Sequence, residues 1–211
     1  MARYTGPVCR LCRRGGQKLF LKGTRCMGPK CAVERHNIPP GQSGTGKMSQ
    51  RRPSDYALQL REKQQLKAIY GMLERPLRRL VRRAERMSGV AGENLLQLLE
   101  RRLDNVVHRS GFATSRAQAR HWVRHRHFSV NGHTVDIPSY CVRPGDVVEV
   151  REGFRTSPQL VAAIATTGGA GTLSWLLCDV SLFRVEIIGT PQREDIDAPI
   201  AEQVVMEFYS R

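Results

Sequence analysis

The stretch CRLCRRGGQKLFLKGTRCMGPKC, residues 9 to 31, gathers four of the chain's six cysteines. Cys9 and Cys12 are separated by two residues, Cys26 and Cys31 by four, and thirteen residues lie between the pairs. Two short hooks joined by a loop suit tetrahedral zinc, because each hook sets two thiolates on one side of the ion and the loop brings the hooks together. Gly15, Gly16, Gly23, Gly28 and Pro29 supply the turns that such a small knot needs. A redox pair would account for Cys9 and Cys12 but not for the second pair, and it lacks the strand-helix flanks of that motif. Iron and sulfur ligation and four unrelated thiols are the other readings. The spacing favours a structural Zn2+ ion held by Cys9, Cys12, Cys26 and Cys31, with no open coordination position for catalysis.

Positive charge surrounds these thiols. The 211 residues carry 34 Lys and Arg against 19 Asp and Glu, a net charge of +15 on a chain that is 40% hydrophobic. Such a charge on a folded protein favours polyanions as partners. Residues 1 to 52 hold twelve bases and one acid, Glu34, whereas residues 156 to 211 hold three bases and seven acids. The basic face is therefore N-terminal and central. No apolar run approaches the roughly 20 residues that span a bilayer, and the first residues lack the apolar core of a secretory signal. The expectation is a cytoplasmic protein with reduced thiols.

Local patterns position the charges. NIPPGQSGTGKMSQRRPSD reads as an extended loop carrying Lys47, Arg51 and Arg52. Ser54 is a helix N-cap candidate ahead of DYALQLREKQQLKAIYGML. PLRRLVRRAERM predicts a second helix with Pro76 at its first position and Leu77, Leu80, Val81 and Ala84 on one face. Its other face carries Arg78, Arg79, Arg82, Arg83 and Arg86, a ridge that repels itself unless an anion neutralises it; a merely solvated face is the alternative. ENLLQLLERRLDNVVHRSG predicts one amphipathic helix closed by Gly111. TSRAQARHWVRHRH predicts another, with Ser115 as N-cap and Arg116, Arg120 and Arg124 forming an exposed stripe about 12 Å long. Around Asn131-Gly132 two β-rich runs predict a hairpin, and RPGDVVEV adds a third strand.

The run RLDNVVHRSGFATSRAQARHWVRHRHFSVNGHTVDIPSYCVRPGDVVEV, residues 102 to 150, resembles the RNA-binding module named after protein four of the bacterial small ribosomal subunit. ARYTGPVCRLCRR, PPGQSG, RRPSDYALQLREKQQLKAIYG, PQREDID and EQVVMEFYSR resemble the same ribosomal family outside that module. His108 stands where the family commonly has Tyr, and Arg126 where Gly often lies between two histidines. Residues 154 to 183 match weakly, and the four cysteines match only members that keep a zinc site.

The expected fold is α+β. Residues 1–100 would form a helical domain with the zinc knot and basic loop, 101–165 an inserted compact module of two helices and three strands, and 166–211 a β-rich segment packing back on the N-terminal domain. The resemblance implies a primary binder of small-subunit ribosomal RNA at a junction of its 5′ domain, which starts assembly of the subunit body. It also implies a place near the messenger entry path beside small-subunit proteins three and five, with an influence on translational accuracy. Candidate RNA contacts are Arg13, Arg14, Lys22, Arg25, Lys47, Arg51, Arg52, Arg78, Arg79, Arg82, Arg83, Arg116, Arg120 and Arg124. Two rival readings share the module: a free regulatory RNA binder, acting as autogenous repressor or antiterminator, and an RNA-modifying enzyme. The second rests on Arg102-Leu103-Asp104, since some pseudouridine synthases place a catalytic aspartate in such a run. Asp104 in mid-helix with a neighbouring arginine reads instead as a surface ion pair, and no catalytic residue is assigned.

Overall fold

A computed structural model describes residues 3–36, 38–41, 54–167 and 173–210. The chain forms two compact units, Met1–Leu95 with Ala198–Arg211, and Leu96–Asp197. The second unit is thus an insertion in the first.

In the first unit, α1 (Cys9–Gly15) ends at Gly16, whose φ of 75° is the left-handed conformation a glycine tolerates without strain. A 3-10 turn (Gly23–Cys26) and the short α2 (Ala32–Arg35) follow. Ser54 caps α3 (Asp55–Ile69): its hydroxyl accepts from the Ala57 N–H at 3.3 Å. In α4 (Glu74–Glu85) Leu77, Val81 and Ala84 turn inward. Pro76 occupies the third helical position and not the first, because Leu73 is the N-cap and Glu74 opens the helix. The C-terminal helix α10 (Glu202–Ser210) packs on α3 and α4 with Val205 buried.

The second unit takes over within α5 (Ala91–Glu100). The amphipathic run expected as one helix is two, because α6 (Leu103–Arg109) starts anew after an interruption. Arg102 is extended and bridges to Cys141, with Leu103 N–H donating to Tyr140 O at 2.8 Å and Val142 N–H to Arg101 O at 2.9 Å. These strand-like bonds replace the helical ones. Next come α7 (Arg116–Arg124), capped by Ser115, then β1 (Phe128–Val130), β2 (His133–Thr134), β3 (Val147–Val150), α8 (Glu152–Arg155), α9 (Pro158–Thr167), β4 (Leu176–Asp179) and β5 (Arg184–Ile187).

The β1–β2 turn is Asn131-Gly132, with φ of 50° and 78°, as a type I′ turn requires. The Asn131 side chain also ties the turn to the next strand, donating to Asp146 Oδ1 and accepting from Val147 N–H, both at 2.8 Å.

All strand pairings are antiparallel, in the order β2-β1-β3-β5-β4. Among the described residues the module therefore has five strands and not three, and residues 166–211 do not act as one segment. Strands β4 and β5 extend the module's sheet, with Val185 and Ile187 buried in its core. Residues from Ala198 belong to the first unit and form a helix, α10 (Glu202–Ser210), instead of β structure. The expected boundary at 165 falls inside α9. Leu103, Val106, Val107, Phe112, Trp122, Phe128 and Trp175 fill the core between helices and sheet.

Candidate nucleic-acid interface

The α4 ridge is built by helical spacing alone. With Leu77, Val81 and Ala84 turned inward, Arg75, Arg78, Arg79, Arg82, Arg83 and Arg86 all face solvent. Among the described residues none of Arg79, Arg82 and Arg83 has a carboxylate within 4.0 Å. Unneutralised guanidinium groups at one-turn intervals form a surface for phosphates.

The thiol segment adds exposed Arg14, Lys22 and Arg25. Arg13 is half-buried, and its Nε has no hydrogen-bond partner among the described residues. Cys9, Cys12, Cys26 and Cys31 line one small pocket, bordered by Lys22 and Arg25. Lys22 N–H donates to Cys26 Sγ at 3.3 Å. Burial pushes the Cys12 thiol above its usual range, and the neighbouring Cys26, Cys9 and Cys31 act in the same direction against a backbone hydrogen bond at Leu19. Among the described residues no group of three or more His, Cys, Asp or Glu stands in metal-holding geometry. The convergence of four thiols on one pocket nevertheless fits a soft cation in chemistry and number. Lys47, Arg51 and Arg52 lie outside the described residues.

The α7 stripe requires a correction. Arg124 is exposed, but Arg120 is buried at 8% exposure and Arg116 is half-buried. Both arginines point at acids of the same unit. Arg120 Nη1 donates to Asp104 Oδ2 at 3.3 Å, which also accepts from Arg102 Nη2 at 2.7 Å. Arg116 Nε donates to Asn105 Oδ1 at 2.7 Å, and its Nη2 lies 3.8 Å from Glu100. Glu100, 1% exposed, also accepts from Arg109 Nε at 2.9 Å and from Asn105 Nδ2 at 2.7 Å. A period of four marks one helix face without saying whether that face meets water or another helix. Glu100 and Asp104 are also four apart, but the break at Arg102 puts them on separate helices, so their spacing carries no signal of this pairing.

Asp104 likewise differs from its expected surface position. It sits in the first turn of α6 at 4% exposure, clamped by two arginines. His108 is half-buried, its Nδ1 3.0 Å from Ala113 O. Burial, with help from Arg116 and Arg109, lowers its pKa to about 4.

Comparison with known families finds two adjoining matches. Residues 3–100 match the ribosomal protein S4/S9 N-terminal domain and residues 101–148 the S4 domain. The two matches together mark a ribosomal protein bearing that module. Over 211 residues, covering both chains entirely, the sequence is 53% identical to small ribosomal subunit protein uS4 of Thermus thermophilus. It is 51% identical over the same span to the protein of that name in Pelotomaculum thermopropionicum, and 52% to small ribosomal subunit protein uS4A of Symbiobacterium thermophilum. The chain belongs to the uS4 family of small-subunit ribosomal proteins. No helix among the described residues is long and apolar enough to cross a membrane.

Proposed function

We propose that this chain is a structural constituent of the small ribosomal subunit that binds small-subunit ribosomal RNA and does no catalysis. The full-length identity to proteins named small ribosomal subunit protein uS4 carries this reading. In it the protein works in the cytoplasm as part of the ribosome. It binds a junction of the RNA's 5′ domain before most other proteins and so starts assembly of the subunit body. Proteins three and five of the subunit are its neighbours near the messenger path, and contact with protein five bears on accuracy.

The mechanism is electrostatic and architectural. Arginines of α4 and of the thiol segment replace condensed counterions on the phosphates, which makes affinity fall steeply with salt. Shape, more than base edges, supplies specificity, since the deep major groove of A-form RNA is closed to side chains. Cys9, Cys12, Cys26 and Cys31 would hold a structural Zn2+ ion, which ties α1, the 3-10 turn and the residue before α2 into one rigid basic surface. Burial of Asp104 between two arginines supports a structural and not a catalytic role for it.

The test is binding of the purified protein to small-subunit ribosomal RNA, transfer RNA and a plain duplex across a salt series. Binding that survives moderate salt only for ribosomal RNA is expected. Equal, salt-fragile binding to all three would overturn the assignment.

A further inference from the structure

Beyond the arginine ridge, the inserted unit carries a second feature suited to RNA. At the C-terminal end of α7 lies an open cleft of about 660 Å³, lined among others by His125, Arg126, His127, Glu149, Arg151 and Gly153. Its size lies within the range of small-molecule sites. One wall is aromatic. The His127 ring lies flat on Phe154, with centroids 3.9 Å apart and planes 9° from parallel. His125 is inclined by only 14° to His127 at 6.1 Å, and it touches His121 at 4.1 Å. Burial, reinforced by His125, His121 and Arg151, lowers the His127 pKa. A neutral imidazole stacks on a base without attracting a phosphate.

The rim is cationic. Arg126 has φ of 62°, left-handed, although it is not glycine. Such a residue costs on the order of 1 kcal/mol, and strain of this kind concentrates at functional sites. Glycine would avoid that cost but would remove a guanidinium from the mouth of the cleft. Arg151 stands beside it, its Nη1 donating to Arg126 O at 3.2 Å. Glu149 and Glu152 add carboxylates to the lining. The polar groups are therefore of two kinds: cations that suit a phosphate, and acceptors that suit the N–H edge of a base.

We infer that this cleft holds one unpaired nucleotide of RNA, its base stacked on the His125 and His127 rings and its phosphate met by Arg126 and Arg151. The inference rests on the reading of the chain as an RNA binder and deepens it. The ridge of α4 follows backbone phosphates whatever their sequence, whereas a stacking pocket selects a loop or bulge that can release a base. Asp136 pairs with Arg126 at 3.2 Å, and that exposed pair must open or share its guanidinium.

The experiment follows the histidine imidazole resonances of the full-length protein by NMR during titration with guanosine 5′-monophosphate and, separately, with inorganic phosphate. Saturable shifts of His125 and His127 with the nucleotide but not with phosphate are expected, weakened severalfold in Arg126→Gly. That variant relieves the backbone, so loss of fold does not confuse the result. Equal shifts with both ligands would reduce the cleft to a simple anion site, and no shift at ~10 mM nucleotide, a weak-binding ceiling, would overturn the inference. A second arm measures His125→Ala against small-subunit ribosomal RNA. Affinity should fall at least about 5-fold, the lower end for loss of one stacked base, with an unchanged salt slope and unchanged binding to a plain duplex. If the unaltered protein binds all RNAs alike, the ribosomal reading fails, while the nucleotide titration still decides the cleft.

Discussion

Arg120 Nη1 and Arg102 Nη2 converge on the same Asp104 oxygen, at 3.3 and 2.7 Å, inside the inserted unit. A basic side chain that the sequence suggests for RNA is thereby committed to holding α7 against α6. Arg120→Ala should destabilise the protein by about 2 kcal/mol, because a buried carboxylate loses one of its two charged partners. Arg124→Ala, at the exposed end of the same stripe, should leave stability within about 0.5 kcal/mol of the parent while weakening RNA binding. Urea unfolding of both variants distinguishes the roles; equal stability of the two would show that the Asp104 clamp contributes nothing.

The α4 ridge makes the opposite prediction. Replacing Arg79, Arg82 and Arg83 together by Ala removes exposed cations from a face whose buried side is Leu77, Val81 and Ala84, so the fold should persist. Each lost phosphate contact should reduce the slope of log affinity against log salt by about 0.7 to 0.9. A slope identical to that of the parent protein would mean that the ridge meets only water.

How much of the fold and site is legible in the sequence depends on whether the signal is local. The Ser54 and Ser115 caps and the Asn131-Gly132 turn can be read directly, because each cap is decided by a side chain bonding its own neighbourhood and the turn by two adjacent residues that tolerate positive φ. The arginine face of α4 is equally readable from its period. The break at Arg102 is not, because its cause is backbone pairing with residues 140 to 142, some forty positions along the chain. Strands β4 and β5 escape assignment to the module for a similar reason, since β5 pairs with the sequence-distant β3 and β4 joins the sheet only through β5. Among candidate site residues, Arg116 and Arg120 mislead because charge suggests exposure. Glu100, Asn105 and Arg109, which share their network, give no comparable signal until α6 and α7 are brought together.

His108 gives the inserted unit a pH dependence. Its folded pKa of about 4 lies below the ordinary 6.5, so the native state excludes a proton that the unfolded chain accepts. The contribution is complete above pH 6.5 and shrinks as pH falls toward 4. The loss reaches up to about 3 kcal/mol, since every tenfold difference in proton affinity between folded and unfolded chains is worth about 1.4 kcal/mol. His108→Phe keeps an aromatic ring and cannot be protonated. Stability measured at intervals from pH 7 to 4 should fall less steeply for that variant, and parallel curves would rule out His108 as the source.

Cys12, buried in α1, tests the metal proposal. The purified protein should contain about one zinc per chain, the stoichiometry of a four-cysteine site, as measured by atomic emission. Cys12→Ser should lose most of it. Chelation should loosen α1 and α2 while leaving the inserted unit folded, because their order would depend on the ion and that of the unit on its own core. A metal-free preparation whose circular dichroism and proteolysis pattern do not change on adding zinc would sink the proposal.

Lys63 is only 6% exposed, and its environment explains why a lysine survives there. Its ammonium donates to Glu74 at 3.2 Å and lies 4.4 Å from the centre of the Phe208 ring, so α3, α4 and α10 meet around one charge. Tyr209 closes the arrangement by donating to Glu74 Oε1 at 2.7 Å. Burial and that hydrogen bond push the Tyr209 hydroxyl well above its ordinary pKa. Burial alone would raise Glu74, but bonds from Tyr209, Lys63 and Lys67 outweigh it and hold the carboxyl below its usual range. Lys63→Met preserves the apolar stem while removing the charge, and should cost about 1 to 2 kcal/mol through the lost hydrogen bond and cation–π contact. Lys67→Met removes the more exposed partner of the same carboxylate and should cost less than about 1 kcal/mol. The measurement is the urea midpoint at unchanged slope. If the two variants unfold at the same midpoint, the docking of α10 owes nothing to the buried ammonium and rests on Val205 and its apolar neighbours alone.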